Sequence, residues 1–421
     1  MKNCRPGTQD RSQSRTKAAL RALLCLAAFC ALNALPRSAH AYVWMIRHGY
    51  AECGGCHVDP MGGETLTGMG RVMGQTLVAS DFGGKSPSDA AMFLYGVKEP
   101  DDVRLGGSFR ALSIYDFNTN NPRVFPMQMD LYGAVSAGRF VMGASIGASR
   151  ASGRYEHSSK AKLLGSVEDG AFLLVSRNHW LGFKLTEDLM VRAGRINLPF
   201  GIRTPDHTMW ARAETQTDRE SDQQHGASIV YSSGRFRGEL LGTPGNFQIP
   251  AKYLTYGYSG YLEYSIDTDL AVGVSSLLLN ARREIFTLDD VVEGQRSILR
   301  QAHGVTARYV PFKELVILAE ADALKRTGSA LGYVGFATAD LEPLRGLHLA
   351  LTGEVLNRGE LNPENLGEAS RQPEGPGRGD TRYGFWSTIN WFLLPHLDLR
   401  VDLVLRERRP SMLQTQLHFY L

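Results

Sequence analysis

The segment HLDLRVDLVLRER (residues 396–408) alternates apolar and charged side chains with a period of two. The apolar positions are Leu397, Leu399, Val401, Leu403 and Leu405. The charged positions between them are Asp398, Arg400, Asp402 and Arg406. Because successive side chains of a β-strand point to opposite faces, this segment predicts a strand with one apolar and one charged face.

The same pattern recurs along the chain from about Val103 to Leu421. About sixteen such segments can be distinguished, separated by turn residues. Their approximate first residues are Val103, Val124, Arg139, Ala171, Asp188, Gly226, Phe236, Tyr258, Leu270, Gln301, Glu314, Ala330, Leu347, Thr381, His396 and Met412. Connections after even-numbered segments are short, whereas most connections after odd-numbered segments are long.

Alternating short turns and long loops are typical of transmembrane β-barrels of the bacterial outer membrane. We therefore predict an all-β fold, an outer-membrane barrel of about sixteen antiparallel strands over residues 103–421. Tyr383, Phe385 and Trp391 would face outward as parts of aromatic girdles, while Glu354 and Asp398 would line a charged lumen. The alternative, a soluble β-sandwich or propeller, does not explain why apolar faces oppose charged ones over so many segments.

The N-terminus has the organisation of a secretory signal peptide. A basic region is followed by the apolar run ALLCLAAFCALNAL (residues 22–35) and by a small-residue site at Ala39-His40-Ala41. We expect residues 1–41 to be removed and the mature chain to begin at Tyr42. The mature chain would hold 39 basic and 42 acidic residues, so the basic excess of the full sequence indicates targeting and no nucleic-acid partner.

Removal of the signal peptide leaves two cysteines, both within YAECGGCHVDPMGG (residues 50–63). Cys53, Cys56 and His57 form a Cys-x-x-Cys-His motif, the attachment signature of a c-type haem. The two thiols would form thioethers, and His57 would be the proximal ligand of the iron. A structural zinc site, a redox-active disulfide and a plain disulfide remain alternatives. Zinc lacks a second ligand pair nearby, and a thioredoxin-like site lacks its βαβ context.

The sixth ligand of such a haem has several candidates. Met69 and Met73 are four residues apart, so they share one face if this stretch is helical. We expect one of these two to be the distal ligand, with His48 as the next candidate. Met61 follows His57 by only four residues, too few to wrap around the ring. Each methionine could instead only pack against the porphyrin.

The predicted organisation is therefore a small α-helical c-type haem domain at residues 42–81, a linker at residues 82–102 and the barrel. About forty residues bury little apolar surface by themselves. We therefore expect the haem domain to dock in or at the periplasmic mouth of the barrel.

The motif and its setting resemble the fused monohaem cytochrome c–porin family of the bacterial outer membrane, whose best known members are Fe(II) oxidases. The matching positions are Arg47, Cys53, Cys56, His57, Pro60 and the pair Gly70-Arg71. The resemblance implies electron transfer between an extracellular donor or acceptor, Fe(II) among them, and a periplasmic c-type cytochrome. It also implies one covalent haem c and a barrel surrounded by outer-membrane lipid, and extracellular Fe(II) oxidation is one activity that it would allow.

Two other functions remain open at this point. One is a passive outer-membrane porin with a structural or sensing haem, and the other is a soluble β protein with a redox-active disulfide. A long polar connection within residues 200–225 also holds side chains that could bind a cation, although such a loop is more commonly just solvated. These side chains are Asp206, His207, Asp218, Glu220, Asp222 and His225.

Overall fold

The computed structural model describes most of the chain beyond the predicted signal peptide. The described ranges are 43–49, 53–94, 96–150, 162–165, 171–204, 206, 208–217, 222–249, 254–281, 298–360, 379–407 and 409–421. The predicted signal peptide, residues 1–41, lies outside them.

These ranges contain eighteen strands. They are β1 (Val103–Asp116), β2 (Asn121–Ala137), β3 (Phe140–Arg150), β4 (Lys162–Leu164), β5 (Phe172–Val175), β6 (His179–Lys184), β7 (Leu189–Ile196), β8 (Gln224–Ser233), β9 (Phe236–Gly245), β10 (Thr255–Ser265), β11 (Leu270–Ala281), β12 (Ile298–Phe312), β13 (Leu315–Arg326), β14 (Gly332–Leu344), β15 (Leu347–Asn357), β16 (Arg382–Leu394), β17 (Leu397–Arg406) and β18 (Arg409–Tyr420).

The strands close into one antiparallel barrel. β1 pairs with β2 on one side and with β18 on the other, so the sheet has no free edge at its ends. β5 and β6 both pair with β3 and are two halves of one interrupted strand, and β4 is a short addition that pairs with β5. The barrel therefore has sixteen strands, as predicted, and each begins within three residues of its predicted start.

The outer face of the barrel is apolar. Exposed aliphatic side chains form a belt that includes Leu181, Ile229, Leu240, Val274, Val305 and Leu351. Exposed aromatic side chains lie at both edges of this belt: Tyr256, Tyr333 and Tyr383 at one edge, Phe140, Phe312 and Trp391 at the other. A closed barrel with such a belt spans a bacterial outer membrane, which confirms the predicted location. No helix in the described ranges is long and apolar enough to cross a membrane.

One end of the barrel is formed by tight turns. Seven connections of two to four residues lie there, such as those between β2 and β3 and between β16 and β17. Short turns mark the periplasmic side of outer-membrane barrels. We call this the short-turn end, and both the beginning of β1 and the end of β18 lie at it.

The segment before the barrel packs into the short-turn end. It contains a 3₁₀ helix (Val43–His48), helix α1 (Gly68–Val78) and helix α2 (Pro87–Ala91), and the last of these lies within the predicted linker. Met45 and Val78 form a buried cluster with Phe392 of β16. The Ser80 amide donates to the Phe392 carbonyl at 2.9 Å. The N-terminal segment therefore packs at the short-turn end of the barrel, and its role as a haem domain stays a prediction.

A second segment occupies the lumen from the connection after β7. It contains helix α3 (Trp210–Thr215), and the Trp210 amide donates to Glu354 Oε2 at 2.6 Å. Trp210 and Ile46 belong to one buried apolar cluster with inward side chains of the barrel such as Phe336 and Trp386.

The lumen therefore differs from the expectation of a simply charged interior. Glu354, Asp398 and Asp402 are buried inside, as the alternation predicted. They share the lumen with an apolar core because two inserted segments present apolar side chains to the wall.

Candidate cofactor site

The Cys-x-x-Cys-His motif forms one tight turn. The amides of Cys56 and His57 both donate to the Cys53 carbonyl, at 3.1 and 2.9 Å. Both cysteine side chains are buried, and the two sulfurs are not joined in a disulfide. The turn brings two thiols and an imidazole together on one short segment.

Helix α1 is seated directly on this turn. The Thr67 amide donates to the Cys56 carbonyl at 2.8 Å, and the Thr67 hydroxyl accepts from the Gly70 amide at 2.9 Å. A Cβ atom at Gly70 would lie 2.0 Å from the Cys56 carbonyl oxygen. Only glycine therefore allows this helix to approach the motif so closely.

A second glycine closes the turn after the histidine. The Gly62 amide donates to the Asp59 carbonyl at 2.8 Å, and Gly62 has a φ of +84°, which disfavours other residues. A Cβ atom there would lie 3.3 Å from Cys53 Sγ and 3.7 Å from His57 Cδ2. Glycine thus keeps the side of the motif free of other side chains.

The motif borders a cavity of about 340 Å³ between the N-terminal segment and the barrel wall. Cys53, Cys56 and His57 all line it. Helix α1 contributes Gly70, Gly74 and Val78, which follow one another at intervals of four residues and so share one helical face. Small side chains on this face leave room for a bulky group beside the two thiols.

The barrel contributes the polar part of the cavity wall. Inward side chains on this wall include Arg110, Tyr132, Asn178, Asp398, Arg400 and His418. Guanidinium groups here suit a ligand that carries carboxylates, because charge-assisted hydrogen bonds favour such pairs. The sequence predicts that these side chains face inward, because their strands alternate. It does not predict that they share a cavity with the motif, because they lie far from it along the chain.

Buried ion pairs hold the N-terminal segment against the wall. Arg47 contacts Asp340 at 2.5 Å and Glu342 at 3.0 Å. On the other side, Asp59 contacts Arg192 at 3.0 Å.

A third polar contact reaches the motif itself. Arg237 Nη1 donates to Cys53 Sγ at 3.3 Å, and Arg237 Nε also pairs with Glu263 at 2.7 Å. The thiol that begins the motif is therefore fixed to the barrel wall.

Burial changes the protonation of two groups near the cavity. The pKa of His57 falls to about 4, chiefly because burial disfavours the imidazolium and secondarily because Arg203 is close. The pKa of Glu64 rises to about 8, chiefly because of burial and secondarily because of the charge on Asp59. At neutral pH His57 is therefore neutral, the form in which imidazole binds a metal.

These residues fit a covalently attached c-type haem. The donor set is two cysteine thiols that are not joined in a disulfide, followed by a neutral histidine, as attachment to the porphyrin and ligation of its iron require. His57 Nδ1 is buried and has no hydrogen-bond partner within the described ranges. The hydrogen bonds of the described residues therefore do not occupy both ring nitrogens of His57. The glycine face of α1 supplies the space.

The predicted distal ligands lie elsewhere. Among the described residues, His48, Met69 and Met73 do not line the cavity. His48 lies 3.9 Å from Glu342, and Met69 is 46% exposed. Because Gly70 and Gly74 face the cavity, the residue before each points about 100° away around the helix. Ligation by any of the three remains a prediction; for Met69 and Met73 it requires a movement of α1, and for His48 a movement of the 3₁₀ helix.

The polar connection after β7 does not assemble a cation site from its described residues. Asp206 pairs with Arg400 at 2.5 Å, and Asp222 is buried. No group of three or more His, Cys, Asp or Glu side chains that could hold a metal ion occurs in the described part of the chain. His225 lies in β8, where its Nδ1 accepts from the Phe247 amide at 3.0 Å. The remaining positions, His207, Asp218 and Glu220, lie outside the described residues.

Solved structures of outer-membrane proteins share the barrel. OmpT of Vibrio cholerae, folded in vitro and in its trimer form, has a TM-score of 0.53 and 11% identity over 76% of this chain and 99% of that chain. OmpF of Salmonella typhi, in complex with daunomycin, has a TM-score of 0.52 and 12% identity over 76% and 97% of the two chains. The outer membrane channel DcaP of Acinetobacter baumannii has a TM-score of 0.52 and 11% identity with the same coverage.

At these identities the likeness shows the fold alone: this chain is an outer-membrane barrel with the architecture of porins. No protein-family model and no curated protein matches its sequence.

Proposed function

We propose that this chain is an electron-transfer protein of the outer membrane, with one covalent haem c held by Cys53, Cys56 and His57. The observation that supports this most is the shared cavity, where two cysteines that are not joined in a disulfide and a neutral histidine meet inside a membrane barrel. When bound, the haem would supply one-electron chemistry by cycling between ferric and ferrous iron.

The residues of the chain have separable roles in this proposal. Each thiol would add its S–H across a vinyl group, so that a C–S and a C–H bond would form without an external oxidant. His57 would hold the iron, while the turn from Cys53 to His57 and helix α1 would orient the ring. The apolar core around Trp210 and Ile46 excludes bulk water from the neighbouring lumen.

The location of the cavity indicates the partners. It lies towards the short-turn end, where helix α1 exposes Met69 and Val72, so a periplasmic c-type cytochrome could approach it from that side. The hydrocarbon core of a bilayer is about 30 Å thick, more than one haem spans. An extracellular donor or acceptor must therefore reach into the barrel from the end opposite the short-turn end. Alternatively, a further partner with its own cofactor completes the path of the electrons across the membrane. Fe(II) is the donor that we would test first.

A passive porin with a structural or sensing haem is the second candidate, and the porin architecture favours it. The two inserted segments argue for the first candidate, because porin interiors are usually polar and filled with water whereas this lumen contains an apolar core. The two functions differ in what crosses the membrane, electrons or solutes.

Proteoliposomes that enclose a redox dye test the proposal. We expect external Fe(II), or another external reductant, to reduce the dye when the wild-type protein is present. Entry of a small sugar into the same vesicles measures their leak. With the His57→Ala variant, external reductant should reduce the dye no faster than this leak accounts for. Equal dye reduction by the two proteins would contradict electron transfer through the haem, and rapid sugar entry with both would favour the passive porin.

A further inference from the structure

One histidine of the barrel wall faces the cavity that the haem motif borders. His418 lies near the end of β18, on the inward face that it shares with Gln414 and Gln416, and it lines the cavity. On one neighbouring strand it is in register with Asp398, and on the other with Arg110. It belongs to a different element from the segment that carries His57.

The hydrogen bonds of His418 fix which nitrogen offers a lone pair. Nδ1 lies 2.9 Å from Asp398 Oδ2, and Nε2 lies 2.9 Å from Ser108 Oγ. A carboxylate can only accept, so Nδ1 is the donor and Nε2 of the neutral ring carries the lone pair. A histidine held at one nitrogen by a carboxylate is the arrangement that orients imidazole toward a metal at the other nitrogen.

The other soft or nitrogen donors on the cavity wall are less suited. Met61 belongs to the same tight turn as His57, since its amide donates to Asp59 Oδ1 at 2.8 Å. Two ligands only four residues apart in one turn cannot bind opposite faces of a porphyrin. Met45 also lines the cavity, but it belongs to the buried cluster with Val78 and Phe392, which its side chain stabilises.

We propose that His418 of the barrel wall is the sixth ligand of the haem iron, opposite His57. The inference rests on the proposed function, because it needs a haem at Cys53 and Cys56. Nε2 would exchange its hydrogen bond with Ser108 for the iron, and Ser108 would keep its bond of 3.3 Å to Gln128. The barrel thereby completes the cofactor site, so that the haem joins the N-terminal segment to the wall.

The test compares absorption and electron paramagnetic resonance spectra of purified wild-type protein and variants. Wild-type protein should show a low-spin haem with two histidine ligands. His418→Ala should lose the low-spin signal and recover it on addition of imidazole, which fills the vacated position. The matched control is His348→Ala, because His348 is also a buried lumen histidine paired with a carboxylate, Asp340 at 2.9 Å, and does not line the cavity. This control should keep the wild-type spectrum.

A second variant covers the case in which His418→Ala does not assemble. His418→Met should give the spectrum of histidine–methionine ligation and a higher reduction potential than wild type. A wild-type spectrum in either loaded variant, or methionine ligation in the wild-type protein, would overturn the assignment of His418. Absence of covalent haem from wild-type protein on a denaturing gel would instead refute the proposed function, so the two failures are distinguishable.

Discussion

Arg47 is a buried polar link between the N-terminal segment and the barrel. Its side chain is fully buried and contacts Asp340, Glu342 and the Asp340 carbonyl oxygen at 2.5, 3.0 and 3.1 Å. The substitution Arg47→Ala would leave two buried carboxylates without this partner. Breaking a buried ion pair from one side costs about 3–5 kcal/mol.

This loss of free energy should appear as local opening of the N-terminal segment, because the hydrogen bonds between the barrel strands are unaffected by the substitution. Every 1.4 kcal/mol corresponds to a tenfold change in an equilibrium constant, so the open population should rise roughly 10²- to 4 × 10³-fold. Hydrogen exchange of the Ser80 amide measures the open population, since that amide donates across the interface to the Phe392 carbonyl. Exchange at this amide should accelerate by the same factor.

The matched control is Arg382→Ala at the other end of the barrel. Arg382 contacts Glu407 at 3.1 Å, but their side chains are 29% and 52% exposed. Exposed ion pairs contribute about 0–1 kcal/mol, so this variant should leave the Ser80 exchange rate nearly unchanged. Equal exchange in the two variants would refute the claim that buried charge holds the segment in the lumen.

Two further predictions concern the packing and the protonation of the segment. Gly70→Ala should abolish haem loading on a stained gel, since its Cβ would lie 2.0 Å from the Cys56 carbonyl oxygen. Gly133→Ala in β2 is the control and should load normally, because a Cβ there meets nothing within 4 Å and Gly133 does not line the cavity. Equal loading by the two variants would contradict the close approach of the helix. Glu64 has a pKa of about 8 in the folded protein against an ordinary value of 4.5, so it favours folding while protonated. Its stabilisation is complete below about pH 4.5 and is lost as the pH rises through about 8, because the unfolded state ionises first. Protease resistance of the segment should therefore fall over this range, and Glu64→Gln, which keeps an acceptor for Asn178, should remove the dependence; a variant with the same pH profile as wild type would contradict this assignment.

The barrel could be predicted from the sequence because its signal is local and repeated. In the segment from Leu397 to Arg406, the polarity of each side chain indicates whether it faces the membrane or the lumen, and the same alternation recurs in the other strands. Turn lengths then assign the two ends of the barrel. The haem motif is likewise a contiguous signature, so Cys53, Cys56 and His57 could be identified without a structure.

The completion of the site could not be predicted in the same way. His418 follows the motif by more than 300 residues, and only closure of β18 against β1 brings it to the cavity. The helical spacing of Met69 and Met73 predicts that they share one face. The structure turns Gly70 and Gly74 toward the cavity instead, since Gly70 must contact the backbone of Cys56. The contact between Gly70 and Cys56 depends on tertiary packing, which cannot be predicted from the spacing of residues within the helix.

In the proposed function, Cys53 and Cys56 carry a haem inside the barrel. The most direct test is the mass of the denatured protein purified from outer membranes, for wild type and for the double variant Cys53→Ala/Cys56→Ala. We predict that wild-type protein is heavier than its mature chain by one haem and that the double variant has the mass of the chain alone. A wild-type mass equal to that of the unmodified chain, with both cysteines as thiols or joined in a disulfide, would contradict the claim.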